Sequence, residues 1–346
     1  MGRACRVSSV AHLKLLMPLM LFVGISEGSS LDYGRWKVLA VNLEQVSGDA
    51  YPPTLSKLED MEAEGYLVVL SASKIKGIAE VAASSQALED LTKMQDDGLI
   101  SFDLICNNLR RALDLEKRDA GKNLPRASVT FTSYMSFSQI SSYLESLPAQ
   151  YPNKIRVDKP GRTVENRTVY RVRMTNNITD NVQKKVVFID GGLGTSSDPC
   201  SDIYKGKSAF TEAESKTLRD AILPLNGKIK AYLSLHSFGQ YILYPWSYSP
   251  QVRHPLSASM DTAAKAMAGQ IKNKTQAVYR AGNGAVTLYS AAGTSFDWVS
   301  YAMNITYAYT IELRDTGSYG FTLPASQILP AVRDVWEAVS RLATLV

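Results

Sequence analysis

From about residue 129 to the C-terminus, short apolar runs alternate with longer segments of helical periodicity. Five runs have the length and the apolar content that are typical of strands: "VYRVRM", "KKVVFIDGG", "KAYLSLHSF", "QYILYPW" and "ITYAYTIELRD". Helical spacing of apolar residues occupies stretches between and after them, as from about Leu256 to Ile271. Strands that alternate with helices predict an α/β domain whose sheet carries helices on both faces.

Two of these helices carry detailed predictions. Thr211 is followed three residues later by Glu214, which is the spacing of a capping box at a helix start. At the C-terminus, "SQILPAVRDVWEAVSRLATLV" predicts an amphipathic helix. Its inward face is expected to comprise Val332, Val335, Trp336, Val339 and Leu342.

The region from about residue 35 to 118 predicts a smaller α/β unit. Strands are expected at "WKVLAVNL", "YLVVLSA" and "LISFDLI", and helices at "PTLSKLEDMEAEG" and "QALEDLTKMQDDG". With one weak strand near "KIKGIAEV", the order becomes βαββαβ, as in ferredoxin-like domains. The length of 346 residues also favours two domains, because a single core rarely grows to that size.

A charged stretch, "NNLRRALDLEKRDAGKNLPRAS", follows the smaller unit. Its basic sites at Lys117-Arg118 and Arg126 suit a processing linker in a secreted chain. The same residues also suit the solvated end of a helix. Both interpretations remain open at this point.

The N-terminus has the pattern of a secretory signal peptide. Arg3, Arg6 and Lys14 precede the apolar run "LLMPLMLFVGI", and the small-residue stretch "SEGSS" follows it. This order predicts a signal over residues 1–28 with cleavage after Gly28. The run is shorter than the roughly 20 apolar residues that span a bilayer, so we expect no membrane anchor and a secreted, extracellular protein.

Secretion affects how other residues are interpreted. Four sequons become possible glycosylation sites and therefore surface positions: Asn166, Asn177, Asn273 and Asn304. After removal of Cys5 with the signal, Cys106 and Cys200 could pair or stay free. The net charge of +5 is spread over the whole chain without a basic stripe, so a nucleic-acid partner is not expected.

His236 in "LSLHSFGQYILYPW" is the candidate metal ligand. It lies where a strand-like apolar run ends, a place where enzymes often present an imidazole to a metal. The chain contains only two other histidines, His12 and His254, and His12 lies in the predicted signal. Taken alone, a histidine at a strand end is more often a core residue whose hydrogen bonds are made within the protein than a metal ligand.

Two further residues bear on the same question. Glu312 lies on the strand-like run "YTIELRD", and Tyr289 lies in "LYSAAGTSFDW". Alone, Glu312 and the Arg-Asp that follow it suit a local ion-pair network. A functional interpretation of His236, Glu312 or Tyr289 depends on the presence of all three residues in the same chain.

Together these segments resemble the zinc metallocarboxypeptidases of the digestive carboxypeptidase A type. The resemblance runs from about residue 129 to the C-terminus and rests on "FTSYMSFSQISSYLESLPAQYP", "VVFIDGG", "HSFGQYILYPW", "AAGTSFDW" and "ELRDTGSYGFTLPASQI", which follow each other in the family's order. It implies a mixed central sheet with helices on both faces. It further implies that residues 29–118 form an activation propeptide, that residues 119–346 form the peptidase-like domain, and that an activating protease separates them.

The resemblance also implies roles for individual residues. His236 matches the third zinc ligand, and Glu312 matches the general base that acts on zinc-bound water. Zinc lowers the pKa of its water to about 7, so a carboxylate can accept the proton. Tyr289 matches a tyrosine that closes over the C-terminal residue of a peptide substrate.

The remaining implied contacts are with the substrate. Ser237 and Phe238 flank the ligand on the substrate side, and Phe321 matches an aromatic residue of the specificity region. Phe296 stands where the family reads the C-terminal side chain. An apolar residue at that position implies a preference for aromatic or aliphatic C-termini, whereas aspartate would favour Lys or Arg.

The chain departs from the family directly after "FIDGG". There the family places a His-x-x-Glu pair that supplies the other two zinc ligands, but this chain continues "LGTSSDPCSDIYKGKSAF". The join between Leu193 and Gly194 therefore resembles an internal excision. By the same resemblance, the excised segment would also carry an arginine for the oxyanion, an Asn-Arg pair for the substrate carboxylate, and the family's disulfide partner of Cys200.

A catalytic zinc site uses three protein ligands and a water, so His236 alone is not sufficient. The spacing of the possible substitutes does not recommend them as ligands: His254, Asp190, Asp198 and Cys200. The expected consequence is weak zinc binding and no turnover, together with exposed apolar surface and unpaired strand edges. Two alternatives are a non-catalytic secreted peptide-binding or decoy protein and a truncated product that misfolds.

Overall fold

The computed structural model describes residues 35–44, 53–73, 77–111, 114, 133–179, 184–191, 207–321 and 323–346. These residues belong to two compact units. The first contains the described residues up to 114 together with Asp315–Pro324. The second contains the described residues from 133 to Arg314 together with Ala325–Val346.

Several predicted features lie outside the described residues. They are the signal peptide at 1–28, the domain boundary at 118/119, the basic sites at Lys117-Arg118 and Arg126, the join at Leu193/Gly194, and the candidate ligands Asp198 and Cys200.

The first unit is an antiparallel sheet with two helices. Its elements are β1 (Lys37–Asn42), α1 (Pro53–Ala63), β2 (Leu67–Ser73), β3 (Ile78–Ala83), α2 (Ser85–Asp96) and β4 (Phe102–Cys106). The strands lie in the order β2-β3-β1-β4, and every neighbouring pair is antiparallel. Leu58 of α1 and Leu91 of α2 pack with Leu39 of β1 in one buried cluster. The predicted βαββαβ order is confirmed, including the weak strand, which is β3.

The second unit contains most of the chain. Its elements are α3 (Phe137–Gln150), β5 (Ile155–Arg162), β6 (Thr168–Met174), β7 (Val186–Gly191), α4 (Ala213–Ile222), β8 (Ile229–His236), β9 (Tyr241–Tyr244), α5 (Ser257–Thr275), β10 (Arg280–Asn283), α6 (Gly284–Thr287), α7 (Ser295–Ala302), β11 (Tyr307–Glu312) and α8 (Ile328–Ala343). Leu223–Leu225 and Ala325–Gln327 are short 3₁₀ turns. None of the helices within the described ranges is both long enough and apolar enough to cross a membrane.

A five-stranded mixed sheet forms the centre of the second unit. The strand order is β10-β9-β11-β8-β7. The pairs β7–β8, β8–β11 and β9–β10 are parallel, and β9–β11 is antiparallel. β5 and β6 form a separate two-stranded antiparallel sheet. The predicted mixed sheet is thus confirmed.

Helices cover both faces of this sheet, as predicted. Because side chains alternate along a strand, Leu233 and Tyr232 of β8 point to opposite faces. Leu233 lies in a cluster with residues of α5 and α8, whereas Tyr232 lies in a cluster with residues of α4 and α7. The apolar residues of each helix therefore continue a core that begins on the strands.

Two detailed helix predictions were wrong. The helix predicted at Thr211 begins at Ala213 with Glu212 as its N-cap residue, and no side chain caps it. The hydroxyl of Thr211 donates instead to the carbonyl oxygen of Ser208 and to Glu212. In α8 the predicted inward face was wrong for Val332, 44% exposed, and Trp336, 66% exposed, whereas Leu342 is buried and Val339 packs against the core as predicted.

The face that α8 buries includes a charged residue. Its buried residues are Ala331, Asp334, Ala338 and Leu342. Asp334 accepts hydrogen bonds from Arg314 Nε at 2.5 Å and Nη2 at 3.1 Å, and from the Tyr279 hydroxyl at 3.1 Å. These contacts attach α8 to the end of β11, since Arg314 follows that strand by two residues.

Replacing Asp334 with alanine is expected to lower the free energy of unfolding by about 3 kcal/mol, because Arg314 would lose its buried counter-charge and Tyr279 its acceptor. Urea unfolding of the purified chain measures the change. The exposed Asp220, in α4, provides the control, and D220A should change the free energy by no more than about 0.5 kcal/mol. An equal effect of the two substitutions would contradict the assigned role of the buried pair.

Candidate active site

His236 is the last residue of β8 and lies beside the last residue of β11. In the parallel pairing of these strands, His236 is the register partner of Glu312. The carbonyl oxygen of His236 accepts a hydrogen bond from Leu313 N at 2.9 Å, which fixes the two strand ends to each other. The apolar run that precedes His236 is buried on both faces, so the register follows from packing.

The imidazole of His236 is held neutral by its surroundings. Burial lowers its pKa to about 4, because the charged form would lose its hydration. Its Nε2 lies 3.1 Å from the hydroxyl oxygen of Ser234, two residues earlier on the same strand face. A neutral imidazole is the form that binds a metal, but this Nε2 already has a hydrogen-bond partner.

Glu312 and Tyr289 lie in the same neighbourhood. Glu312 is 8% exposed. Tyr289 follows α6 and is 44% exposed, yet desolvation of its hydroxyl and the negative charge of Glu312 raise its pKa to about 12. The structure thus brings together three predicted residues, His236, Glu312 and Tyr289.

Ser237 and Phe238 follow His236 in a turn that is fixed to β11. They are joined by a cis peptide bond. The next two backbone N–H groups, of Gly239 and Gln240, donate to the carbonyl oxygen of Leu313 at 3.0 and 3.1 Å. A Cβ at position 239 would lie 2.6 Å from the ring of Tyr241, so glycine suits this close approach. The turn therefore holds Ser237 and Phe238 directly beside the strand ends.

Phe296 lies in the core of the second unit. It is 3% exposed and packs in the cluster of Tyr232 and Val299 at the start of α7. Next to it, Asp297 accepts two hydrogen bonds from the backbone N of Ser247, at 2.8 and 3.1 Å. Burial raises the pKa of Asp297 to about 6. Phe321 lies in Asp315–Pro324, which belongs to the first unit, so its role stays a prediction.

Sequence reasoning considered Asp190 only as a substitute metal ligand and missed the polar group that it forms beside His236. Asp190 of β7 is the register partner of Ser234, and its Oδ2 accepts a hydrogen bond from the Tyr232 hydroxyl. Its Oδ1 is buried without a partner among the described residues. Burial raises the pKa of Asp190 to about 6, although hydrogen bonds from Ser234 and Tyr232 act in the opposite direction.

A signal for this group was present in the sequence. Tyr232, Ser234 and His236 are spaced by two, so they share one face of β8. Asp190 ends a neighbouring strand that reads "VVFIDG". Only the pairing of β7 with β8, which sequence does not provide, places the carboxyl on this polar face.

The described residues do not fit a catalytic zinc ion. They include no group of three His, Cys, Asp or Glu side chains that could hold a metal. His254, a possible substitute, accepts a hydrogen bond from Leu256 N at 3.0 Å through Nδ1, and its ring lies 4.8 Å from that of Trp246. Because catalytic zinc needs three protein ligands, His236 and Glu312 are not sufficient, and we derive no reaction step through a metal.

Comparison with known proteins identifies the family. The sequence model of the zinc carboxypeptidase family, Peptidase_M14, matches residues 140–194 and 192–338, which is more than half of the chain. The chain therefore belongs to the zinc carboxypeptidase family, whose members are metallopeptidases. Zinc is the metal of this family. The match falls into two parts that meet at residues 192–194.

Individual relatives match this chain over different lengths. Carboxypeptidase B of Astacus astacus is 28% identical over 300 aligned positions, which cover 98% of that protein and 62% of this chain. Carboxypeptidase A1 of Bos taurus is 43% identical over 149 residues, which is 43% of this chain and 35% of that protein. Over this more similar part, the chain thus spans about a third of the bovine relative.

Solved structures share the fold. The crystal structure of thrombin activatable fibrinolysis inhibitor has a TM-score of 0.78 at 20% identity and covers 90% of this chain and 99% of its own. Carboxypeptidase A from Helicoverpa armigera has a TM-score of 0.72 at 20% identity, with 90% and 98% covered. At this identity the likeness concerns the fold alone.

Replacing Asp190 with asparagine should stabilise the chain in a pH-dependent way. The raised pKa of about 6 means that the folded state favours the protonated carboxyl, so the stability it contributes below about pH 4 is lost as the pH rises through about 6. D190N should therefore gain up to about 3 kcal/mol over the parent chain between about pH 4 and pH 7.

Urea unfolding at a series of pH values measures the difference between D190N and the parent chain. Titrating groups that do not interact with Asp190 contribute equally to both chains, so their contributions cancel in that difference. D220N, at an exposed site of the same unit, should give a difference that changes little with pH. A D190N advantage that is largest at low pH would contradict the burial of an ionisable carboxyl at this position.

Proposed function

We propose that this chain is a secreted, propeptide-bearing member of the zinc carboxypeptidase family that does not hydrolyse peptides, because two of its zinc ligands are absent. The observation that carries the proposal is that His236 and Glu312 lie at adjoining strand ends, while the described residues contain no group of three His, Cys, Asp or Glu side chains that could hold a metal. One imidazole does not hold a zinc ion stably, so no metal would be present to activate a water molecule. The family reaction, removal of C-terminal residues from peptides, is therefore expected of complete relatives and not of this chain.

The comparisons support an internal excision at Leu193/Gly194. Two separate blocks of the family match meet at residues 192–194. The alignment with the Astacus enzyme has 300 positions, whereas 62% of 346 residues is about 215 residues of this chain. Several tens of positions of that relative therefore have no counterpart here, which is what an excision of the segment with the other two ligands would produce.

The remaining site residues keep the roles that the resemblance implies. His236 is the surviving ligand position and Glu312 the surviving base position. Ser237, Phe238 and Tyr289 would contact a peptide, and Phe321 would belong to the specificity region. The burial of Phe296 supports an apolar floor for an aromatic or aliphatic C-terminal side chain. The activating protease of the propeptide would be an additional partner.

A second candidate function is a non-catalytic peptide binder or decoy. The exposure of Tyr289 beside Glu312 favours it, because an exposed aromatic next to a buried carboxylate could still contact a peptide without chemistry. Isothermal titration with a peptide that ends in Phe tests this candidate. Binding that Y289A weakens would support it, and absence of binding would exclude it. A truncated product that misfolds is the third possibility, and failure of the chain to be secreted in soluble form would indicate it.

After dialysis against a zinc solution, the purified chain is expected to contain almost no bound zinc. It is also expected to release no C-terminal Phe from a peptide. Metal analysis by mass spectrometry and amino-acid release measure the two quantities, with bovine carboxypeptidase A1 as the positive control. H236A should leave both values unchanged, since no complete site exists to be disrupted. One zinc per chain that H236A removes, or turnover by the parent chain, would overturn the proposal.

A chimera tests the cause of the defect. Insertion of the corresponding segment of the Astacus relative between Leu193 and Gly194 should restore zinc binding at one ion per chain. The same insertion with its His-x-x-Glu pair changed to alanines is the matched control and should fold without binding zinc. Sequencing the transcript across the codons of Leu193 and Gly194 shows whether another isoform carries the segment.

A further inference from the structure

β7 has the sequence of a central strand but the position of an edge strand. Its sequence, VVFIDG, begins with four apolar residues in a row, as in parallel strands that are buried on both faces. Most residues of β8 and all but the first residue of β11 are buried, whereas every residue of β7 is at least partly exposed. Ile189 is 43% exposed.

Among the residues that the structure describes, no strand is hydrogen-bonded to the outer side of β7. β7 pairs with β8 on one side and is the last strand in the sheet order. Half of the backbone N–H and C=O groups of an edge strand point away from its neighbour and can pair with another strand. The opposite edge, β10, is shorter, begins with Arg280 and contains Gly282, which are features that discourage such pairing.

We propose that β7 pairs with β7 of a second copy of this chain, antiparallel about a two-fold axis, and joins the two five-stranded sheets into one. Identical edges meet in an isologous contact, which closes after two copies. This inference does not depend on whether the chain binds zinc, because it uses only the edge of the sheet.

Symmetry restricts the register of this pairing. Residues opposite each other in an antiparallel pair point to the same face, so one residue of β7 must lie opposite its own copy. With Val187 at the axis, Val186 lies opposite Phe188 of the second copy, and Lys184 lies opposite Asp190. With Phe188 at the axis, Val186 would lie opposite Asp190, which pairs an apolar side chain with a carboxyl. Charge complementarity therefore selects the register centred on Val187.

The buried carboxyl of Asp190 supports the same register. Its Oδ1 lacks a partner among the described residues, and the flexible side chain of Lys184 from the second copy would approach it from across the axis. In the single chain, Lys184 Nζ donates to the Thr175 hydroxyl at 3.0 Å and to the Asn177 carbonyl at 2.8 Å, so it would exchange surface contacts for one with the carboxyl.

Both cores of the unit reach this edge. Val187 packs against the cluster that contains residues of α5 and α8, and Val186 and Phe188 pack against the cluster on the other face. The Phe188 ring is stacked on Tyr232 at 6.0 Å between centroids. Pairing through the axis would extend each cluster into the second copy and cover apolar side chains that are partly exposed in the single chain.

Light scattering coupled to size-exclusion chromatography should give twice the monomer mass for the full chain, with a monomer–dimer equilibrium that shifts on dilution. I189K should reduce the dimer at least about tenfold, because it places a lysine opposite Lys185 of the second copy. V252K changes an apolar residue of similar exposure, 41%, away from the edge and should leave the dimer intact.

A cross-linking pair tests the register. In a chain whose three native cysteines are serines, V187C should form an intermolecular disulfide under mild oxidation, since self-opposed Cα atoms lie about 4.5–5.5 Å apart. I189C should not, because its two copies would lie more than about 13 Å apart. Circular dichroism confirms that both variants are folded.

Three outcomes would overturn the proposal. A monomer at all concentrations would show that this edge has no second copy as its partner. A dimer that I189K leaves intact, or that I189C traps as well as V187C, would place the contact elsewhere. Polydisperse aggregates, or copurification of an extended peptide that I189K abolishes, would mean that the edge binds another occupant.

Discussion

The parallel pairing of β8 with β11 is the constraint on which the rest of the second unit depends. It aligns His236 with Glu312, and the hydrogen bond from Leu313 N to the His236 carbonyl fixes that alignment at the strand ends. The same strands carry the side chains around which α4, α5, α7 and α8 pack. A slip of one residue would turn every apolar side chain of a strand to the opposite face, so the cores and the site are specified by the same register.

The sequence predicts the elements better than it predicts their partners. The order of strands and helices, the helices on both faces and the weak strand β3 are visible as apolar periodicity, because that signal is local. The position of Asp190 beside Tyr232 and Ser234 cannot be seen in the sequence, because it depends on the pairing of β7 with β8. Trp336 points outward although its spacing suggested the core, because Asp334 occupies the buried face of α8 with Arg314 and Tyr279.

Family membership and zinc binding depend on different parts of the sequence. The family is recognised from strands, turns and aromatic residues that are spread over two blocks of sequence. Zinc binding depends on three side chains within a few tenths of an ångström of a set geometry, so a short excision can remove it while most of the fold remains. The edge position of β7 would follow from the excision proposed above, since its apolar sequence suits a strand with neighbours on both sides.

The polar face of β8 links two buried groups of opposite titration behaviour. Burial raises the pKa of Asp190 to about 6 and lowers that of His236 to about 4, and Ser234 lies between them. In the interval between these values the carboxyl keeps its proton and the imidazole lacks one, so the linked groups are electrically neutral. On either side of that interval one of the two must ionise, which makes mild acidity the condition in which Asp190 and His236 are both uncharged.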